Sequence, residues 1–507
     1  MSHQDRKSRA RIVVNSRSLQ QAISTLFSSK AFRVIRVRRR SKWTARMLVT
    51  VALFWAWSGR GGLRDRFEEG AKLAGKIWRR LPEPGWTYQG FVKQLRKWHV
   101  ELQVACVGEL RVLMKQDLFG QWEIAGFVVI AGDGSRIELP RTLSNEAAYA
   151  PKRKKKGKKK QNGRGGKKGR RKQNNPRQTA ESIAKKANSP QMWLTLLWHV
   201  GTGLPWAWRT GPSGSSEREH VLEMLSELPE NALITADAGF VGYEFWRAVI
   251  ASGRHFVIRA GANVRLLKKL AYVREYDHIV YVWPHAAARK KEPPLVLRVV
   301  RVHDGKQPMC LLTDVLSKQR LSDRQVVEIY SARWGVEVFF RTFKQTFGRR
   351  KLRSHSAENA RLEIDWSLVG LWSVCLLAQR ELAQEGRDPC RLSPALAIKA
   401  VQQTMCHYRV RPEHPDGVLW TMLRRALQDD YERTSSKTGL SEFSCQTSRA
   451  RNLLSTRACV LRTGWRSGLA PVSSGGSAWS ISSTPRESPC RRSSTRTPRS
   501  GRSCGSA

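Results

Sequence analysis

The sequence predicts a mixed α/β protein in which a strand-rich centre lies between two helical regions. Apolar residues recur at helical spacing over 18–115, with only turn signals such as PEPG between them. Short apolar runs typical of buried strands begin at Phe127. A strand–loop–helix–strand pattern over 231–261 is typical of a crossover in an α/β sheet, and helical spacing returns over 358–430. A central sheet flanked by helices is therefore expected.

The strand-rich centre opens with three predicted strands. Two short strands are expected at 127–131 and 136–139, joined by a turn at the intervening glycines. Strand composition resumes at 192–200 and in PWAWRTGP, so these segments predict an antiparallel meander.

Composition divides the chain further. Residues 1–120 predict a basic helical module, in which tryptophan is more typical of a core than of base stacking. Residues 121–355 predict the strand-rich centre, interrupted at 151–178 by a Lys/Arg/Gly-rich disordered loop that binds phosphates without reading sequence. Residues 356–430 predict a second helical region. The basic, Ser/Arg/Thr/Pro-rich tail at 431–507 predicts disorder or a reading-frame artefact, which the nucleotide sequence would reveal.

Charge and cysteine usage narrow the class of protein. The 507 residues include 91 Lys and Arg against 41 Asp and Glu, a formal net charge of +50, which indicates a nucleic-acid partner. An alternative is that this charge lies mainly in disordered basic tracts. The nine cysteines form no Cys-x-x-Cys pair, and the most apolar run, 47–57, is too short to span a bilayer. A cytoplasmic protein with no membrane partner is expected.

Two aspartates follow apolar strands. Asp133 lies in VVIAGDGS and Asp237 in ALITADAGF. A desolvated carboxylate is costly unless it is paired or metal-bound, and ligand sites of α/β sheets gather at strand ends. The alternative for each aspartate is a turn residue or a helix cap, which the neighbouring glycines favour.

A third carboxylate, Glu337, lies in IYSARWGVEVFFRTFKQTFG, which predicts one helix over 329–348. At about 100° per residue, four polar side chains share one face: Tyr330, Arg333, Glu337 and Lys344. An apolar set lies about a quarter-turn away: Val336, Phe339, Phe343 and Phe347. The alternative for Glu337 is an ordinary i,i+4 ion pair with a neighbouring arginine.

Together the three carboxylates predict a metal site. They could hold two divalent cations about 3.5–4 Å apart, the arrangement that stabilises both the attacking and the leaving oxygen of a phosphoryl displacement. Oxygen ligands suit Mg²⁺, for which Mn²⁺ can substitute. Arg333 and Lys344 would hold the phosphate backbone beside the metals.

These motifs resemble a known family. Tyr330, two residues, Arg333, three residues, Glu337, six residues and Lys344 are similar to the Y-(2)-R-(3)-E-(6)-K signature of DDE insertion-sequence transposases of the IS-four type. AGDGS and ITADAGF resemble the two Asp motifs of that family, in the same order. The resemblance covers 127–352. It implies an RNase H-like catalytic core with the first Asp on the first strand, the second after the fourth strand and the Glu on a later helix.

The resemblance also implies how DNA is held. A mostly β insertion, for which 265–321 has room, would help to hold a base flipped out near the transposon end. Trp283 is a candidate for stacking on that base, with core burial as the alternative. Independently of the resemblance, the basic charge of residues 1–120 predicts that they bind the DNA ends. The basic loop and the tail depart from the family pattern.

The sequence thus predicts a cut-and-paste DNA transposase, whose metal ions are carried by Asp133, Asp237 and Glu337. Water would attack the phosphodiester at the end of the element, and the freed 3′-hydroxyl would attack the complementary strand and later the target. Tyr330 would join the two basic residues in positioning the end phosphates. Expected partners are double-stranded DNA, as terminal inverted repeats and target, and a second copy of the chain in a synaptic homodimer at the nucleoid.

Three alternatives stay open at this point. One is an RNase H-like nuclease or junction resolvase that cuts without joining. Another is a basic nucleic-acid-binding protein with no catalysis, in which the three acids are structural. The third is an inactive transposase remnant, which the composition of the tail favours.

Overall fold

The computed structural model describes residues between positions 15 and 428. The described ranges are 15–29, 31–33, 35, 41, 43–78, 86–151, 189–261, 272–276, 278–284, 293–303, 308–411 and 417–428. Apart from Pro151, the predicted basic loop lies outside these ranges, as does the predicted tail.

Helices precede the sheet, as the apolar spacing predicts. They are α1 (Asn15–Leu26), α2 (Ala45–Trp57), α3 (Leu63–Ile77), α4 (Tyr88–Lys97) and α5 (His99–Asp117). The α2 helix is apolar on nearly every side and is buried along almost its whole length. Trp43, Trp55 and Trp57 belong to the core, which confirms the core interpretation of these tryptophans.

One sheet of nine strands forms the centre of the part of the chain that the structure describes. The strands are β1 (Val128–Glu138), β2 (Gln191–His199), β3 (Leu204–Gly211), β4 (Ala232–Ala236), β5 (His255–Gly261), β6 (Tyr272–Tyr276), β7 (Ile279–Trp283), β8 (Leu295–His303) and β9 (Pro308–Thr313). Their order is β3-β2-β1-β4-β5-β9-β8-β7-β6. Antiparallel pairing of β1, β2 and β3 confirms the predicted meander, and parallel pairing of β4 with β5 confirms the predicted crossover.

The prediction of two strands at 127–131 and 136–139 is wrong, because β1 is one continuous strand. It pairs with β2 without interruption from Ile130 to Glu138, so Gly132 and Gly134 lie inside the ladder. The two glycines read locally as a turn, but cross-strand hydrogen bonds with β2 keep them extended.

The expected β insertion joins the central sheet. Within 265–321 the described strands are β6 to β9, all antiparallel to their neighbours. Strand β9 pairs with β5, so the insertion lengthens the sheet at this edge. Covering an open edge in this way removes unpaired backbone groups from solvent.

The helices after β1 are short except for one. They are α6 (Leu143–Tyr149), α7 (Glu217–Glu223), α8 (Tyr243–Ala251), α9 (Asp323–Ala332), α10 (Trp334–Arg341), α11 (Ala357–Gln384), α12 (Pro394–Cys406) and α13 (Val418–Arg424). The last three helices follow the sheet in the chain.

The prediction of a single helix over 329–348 is wrong. Helix α9 ends at Ala332, α10 follows Arg333, and Thr342–Thr346 forms a π-helical turn. The physical cause is a change of hydrogen-bond partner: the Val336 N–H donates to the Arg333 carbonyl three residues back, and the N–H after the π turn donates five residues back. The predicted apolar face is confirmed, since its members are buried: Val336, Phe339, Phe343 and Phe347.

Helix α11 joins the helical regions to the sheet. It is the one helix in the described ranges that is long and apolar enough to cross a membrane, but it is enclosed within the protein. Its buried Asp365 accepts a hydrogen bond from Trp208 Nε1 of β3 at 2.7 Å, and Asp365 Oδ2 lies 2.8 Å from His99 Nε2 of α5. One carboxylate therefore links α5, α11 and the sheet.

Replacing Asp365 by alanine should destabilise the fold. Asp365→Ala leaves the buried Trp208 N–H and the His99 ring without their partner, so the free energy of unfolding should fall by about 2–4 kcal/mol. Urea denaturation measures this change. Glu358→Ala, which breaks an exposed 2.8 Å ion pair with Arg96 at the start of the same helix, should cost about 1 kcal/mol or less. Equal losses in the two variants would contradict a linking role for Asp365.

Candidate active site

The two predicted aspartates lie at matching positions on neighbouring strands. Strands β1 and β4 are parallel, and their last paired residues are Ala131 and Thr235. Asp133 and Asp237 each follow this pair by two residues. Adjacent strands are about 4.8 Å apart, so this register predicts that the two aspartates lie near each other where the parallel pairing ends.

Asp237 also makes the local bond that the capping alternative predicts. It is the N-cap of the 3-10 turn Ala238–Phe240, and its Oδ1 accepts a hydrogen bond from the Gly239 N–H at 2.8 Å. A carboxylate has two oxygens and about four acceptor positions, so this bond leaves acceptor capacity for another partner.

Helix α10 packs on the sheet face to which Asp133 points. Trp198 of β2 is paired with Ala131, so its side chain shares the face of Ala131 and, two residues on, of Asp133. Gly335 of α10 lies against that indole. A β-carbon on residue 335 would lie 2.7 Å from Trp198 Cζ3, which is closer than real contacts allow. The glycine therefore lets the helix that carries Glu337 come this close to β1.

Arg333 lies between two of the predicted acids. Its Nη2 is 3.0 Å from Glu337 Oε1, so the i,i+4 ion pair of the alternative interpretation is present. Burial by itself lowers the pKa of the guanidinium, but Tyr330, Glu337 and Asp133 raise it above its ordinary value. The side chain of Arg333 is 11% exposed and that of Glu337 is 35% exposed. The carboxylate of Glu337 therefore keeps access to solvent and to ligands.

The other two residues of the signature lie beside these. Tyr330 is buried, and the Arg333 guanidinium lies 5.5 Å from the centre of its ring. Lys344 Nζ donates to Ser135 Oγ on β1 at 2.6 Å. Burial and Arg350 lower the pKa of Lys344, and the charges of Asp133 and Glu138 oppose that effect. The break in the helix therefore does not separate Lys344 from the site, because the π turn directs it to β1.

Burial determines the electrostatics of Asp133 more than its charged neighbours do. Burial raises the pKa of Asp133 to about 7; the charges of Glu217 and Glu337 add to this, while the Gly134 N–H and Arg333 oppose it. Such a carboxylate is costly to ionise without a cation. The donors are all carboxylate oxygens, which fits a hard divalent ion. No cluster of three His, Cys, Asp or Glu side chains that could hold a metal ion occurs among the described residues.

Trp283 lies far from the carboxylates. It ends β7, and four strands separate β7 from β1 in the sheet. At about 4.8 Å per strand, the distance across the sheet is about 24 Å. Trp283 stacks on Tyr281, with ring centres 6.5 Å apart. The structure therefore does not bring Trp283 close to Asp133.

Glu217 is an acid near the site that the sequence did not single out. It is the first residue of α7 and lies close enough to Asp133 to raise the pKa of that carboxyl. Acidic residues are common in the first turn of a helix because they stabilise its N-terminus. The position of Glu217 in the sequence therefore did not indicate that it lies near the candidate site.

Comparisons with known proteins show what the chain is similar to. Residues 125–371, which include the three predicted acids, match the family model described as Transposase DDE domain. Nearly half of the chain is therefore similar to this domain. The transposase InsG for insertion sequence element IS4 of Escherichia coli (strain K12) is 26% identical over 259 residues, which are 50% of this chain and 50% of that protein. The predicted likeness to IS-four-type DDE transposases is confirmed.

The match to this relative is partial. The chain spans about half the length of the curated relative that it matches. Among solved structures, the piggyBac transposase synaptic complex with hairpin DNA has a TM-score of 0.38 and 10% identity to this chain. The match covers 84% of this chain and 88% of that one.

A β-carbon at position 335 should disturb the DDE domain. Gly335→Ala forces α10 away from Trp198 and should cost about 1–3 kcal/mol of folding free energy. The double variant Gly335→Ala/Trp198→Phe, in which the smaller ring gives space, should recover part of the loss. Thermal and urea unfolding measure both variants. Gly108→Ala on α5, where a β-carbon would contact nothing within 4 Å, is the control. A loss that the Phe variant does not reduce would contradict the packing argument.

Neutralising Asp133 should stabilise the metal-free DDE domain at alkaline pH. The pKa of this carboxyl is raised from 3.8 to about 7, so ionisation costs folding free energy that grows as pH rises between those values. Asp133→Asn should therefore melt a few degrees higher than wild type at pH 8, and by a smaller margin at pH 5. Differential scanning calorimetry in a chelator tests this. Asp323→Asn, at the half-exposed start of α9, should show no such pH-dependent gain.

Proposed function

We propose that this protein is a DNA transposase that moves an insertion sequence by cutting DNA at its ends and joining them to a target. The observation that carries the proposal is the match of 125–371 to the transposase DDE domain, a range that includes Asp133, Asp237 and Glu337. The register of β1 and β4 supports it, because two of these acids follow the last paired residues of the two strands at equal distances along the chain.

We infer an RNase H-like core for the DDE domain. The first five strands run in the order β3-β2-β1-β4-β5, with β2 antiparallel and β4 and β5 parallel to the chain direction of β1. The first proposed acid lies on β1, the second directly after β4, and the third on a helix that follows the β insertion. This order is the one that the family resemblance implies.

Asp133, Asp237 and Glu337 are the proposed carriers of divalent metal, which transposases with this domain generally use. Their oxygens suit Mg²⁺ best, and Mn²⁺ as a substitute. When bound, two such ions supply charge stabilisation for the attacking and leaving oxygens of phosphoryl transfer. The raised pKa of Asp133 supports the assignment, since a buried acid that other acids repel is stabilised by a cation.

The basic residues of the site are proposed to hold the DNA backbone. Arg333 and Lys344 lie near Asp133; Arg333 is buried and Lys344 is half-buried, and a phosphate contact is stronger away from solvent than on the surface. Tyr330 contributes its ring to Arg333 and so orients the guanidinium. Trp283 remains a proposed stacking residue for a flipped base, at a point remote from the carboxylates.

The reaction needs no protein nucleophile. A water oxygen bonds to the phosphorus at the end of the element and the 3′-oxygen leaves with a proton, which gives a 3′-hydroxyl. That hydroxyl then attacks a phosphodiester of the complementary strand and displaces a 3′-oxygen of the flanking DNA, which takes up a proton. Water hydrolyses the new bond between the two strands and so frees the 3′-hydroxyl again. The freed hydroxyl attacks a target phosphodiester and displaces the 3′-oxygen of the target. The protein would position the reacting groups and stabilise the negative charge of the transition state. These two effects supply most of the rate enhancement in phosphoryl transfer.

The proposed partners follow from this chemistry. Double-stranded DNA, as terminal inverted repeats and as target, fits the formal charge of +50. Residues 1–120 are proposed to bind the DNA ends, and two ends require two copies of the chain, so a synaptic homodimer is expected. The alternative function is a nuclease or resolvase with the same core that does not join strands.

The deciding experiment compares cleavage by the wild type and single variants. Purified protein, Mg²⁺ and labelled DNA carrying the flanks of the gene are analysed on a sequencing gel. Asp133→Ala, Asp237→Ala and Glu337→Ala should each reduce cleavage at least about 100-fold, because even partners that only orient a metal ligand contribute 10- to 100-fold. DNA binding should persist in all three variants.

The matched control is Glu328→Ala, which removes a half-exposed acid of α9 that pairs with Arg324. Its cleavage rate should equal that of the wild type. Cleavage without joined products would favour the nuclease. Salt-sensitive binding with no cleavage by the wild type, in Mg²⁺ or Mn²⁺, would contradict the proposal and favour a basic binding protein or an inactive remnant.

A further inference from the structure

Helix α5 has an apolar face that is exposed as well as one that is buried. Val100, Val104 and Val112 are 61%, 68% and 55% exposed, and Phe119, just beyond the helix, is 74% exposed. With Gly108, the three valines recur at multiples of four residues, so they follow one another along one side of the helix. We call this row (Val100, Val104, Gly108 and Val112) the α5 stripe. A continuous exposed apolar row, unlike scattered apolar residues, indicates an interaction surface.

Gly108 lies in the middle of the α5 stripe. A β-carbon on residue 108 would contact nothing within 4 Å, so packing within the described part of the chain does not require glycine here. Its backbone conformation is helical and does not require glycine either. Glycine is less favourable than alanine inside a helix. The distance between two packed helices depends on the side chains at their contact, so Gly108 lets another helix approach α5 closely.

Two exposed charged residues, Glu101 and Lys115, lie on the same side of the helix. Each is seven residues from Gly108, and at about 100° per residue seven residues return to within about 20° of the same direction. Neither has a partner of opposite charge among the described residues, although Lys115 Nζ lies 5.6 Å from the centre of the Trp122 ring. The other Asp, Glu and Arg side chains of α5 each bond elsewhere in the chain: Glu109 to Ser28, Arg111 to Glu227 and Asp117 to Arg380.

This face is complementary to a second copy of itself. Two α5 helices that run antiparallel about a twofold axis at Gly108 place each residue opposite the one equally far beyond position 108. Val104 of each copy then lies opposite Val112 of the other, four residues from the axis. Glu101 of each copy lies opposite Lys115 of the other, seven residues from the axis. Apolar residues therefore meet at the centre, and opposite charges meet on both sides of it.

We propose that the α5 stripe is the surface through which two copies of this chain pair, with their α5 helices antiparallel across Gly108. The inference rests on the proposed function, which expects a homodimer, and it assigns the surface of that dimer. A twofold interface needs a patch that is complementary to itself, and the placement of valines and charges about Gly108 provides one. Valine side chains donate no hydrogen bonds to phosphates, so DNA does not fit this face.

A charge exchange tests the antiparallel arrangement. Sedimentation equilibrium of the full-length protein, without DNA, gives the dissociation constant of the dimer. Glu101→Lys and Lys115→Glu should each weaken the dimer roughly tenfold, because each places like charges opposite one another twice in the symmetric pair. The double variant Glu101→Lys/Lys115→Glu should return the dissociation constant to near the wild-type value, because opposite charges then meet again.

A charge at the centre of the α5 stripe tests the apolar contact. Val104→Asp should weaken the dimer at least about tenfold, because it buries an unpaired carboxylate in each copy. Val104 is exposed within one copy, so the variant should fold, which circular dichroism and thermal melting check. Val410→Asp is the matched control, since it changes a valine that is 53% exposed outside α5 and should leave the dissociation constant unchanged.

The outcomes separate this inference from the proposed function. A wild type that is monomeric with and without flank DNA, or a dimer that Val104→Asp leaves intact, would overturn the α5 surface even if the protein cuts and joins DNA. A double variant that does not recover affinity would overturn the antiparallel arrangement. A dimer that responds to the substitutions as expected, in a protein that does not cut DNA, would support the surface and overturn the proposed function alone.

Discussion

The parallel ladder between β1 and β4 is the constraint on which the site depends. It is short, running from Val128 to Ala131 on the first strand, but its register sets the positions of both aspartates that follow it. Strand β1 is held on its other edge by the long antiparallel ladder with β2. Hydrogen bonds on both edges of β1 hold the strand that carries Asp133 in place. Side chains from the neighbouring helices therefore reach Asp133 at a defined position.

Helix packing brings the remaining charges to this place. Gly335 lets α10 contact Trp198, and the side chains of Arg333, Glu337 and Lys344 then lie around Asp133. Such a collection of buried charges costs stability. Contacts elsewhere in the fold offset this cost in stability. Helix α11 is buried among other elements, and its Asp365 makes hydrogen bonds with residues of α5 and β3.

The pattern of apolar residues predicted helices and strands correctly where the conformation depends mainly on residues nearby in the sequence. The α1–α5 helices, the meander and the β4–α8–β5 crossover follow from apolar periodicity, which reports burial directly. The sequence-based prediction was wrong at Gly132 and Gly134, where glycine favours a turn but pairing with β2 keeps the strand extended. It failed again at Arg333 and at Thr342–Thr346, where the helix changes its hydrogen-bond pattern. Both failures lie at the candidate site.

The sequence by itself determined which chemical groups are available, because the acids, the basic residues and their spacing are fixed along the chain. That spacing predicted a DDE transposase domain. Only the tertiary structure decided which of those groups meet. It brought Lys344 to β1 through a π turn, left Trp283 four strands away and brought Glu217 against Gly134. The physical reason is that strand register and helix packing are set by contacts between distant residues, and no local pattern encodes them.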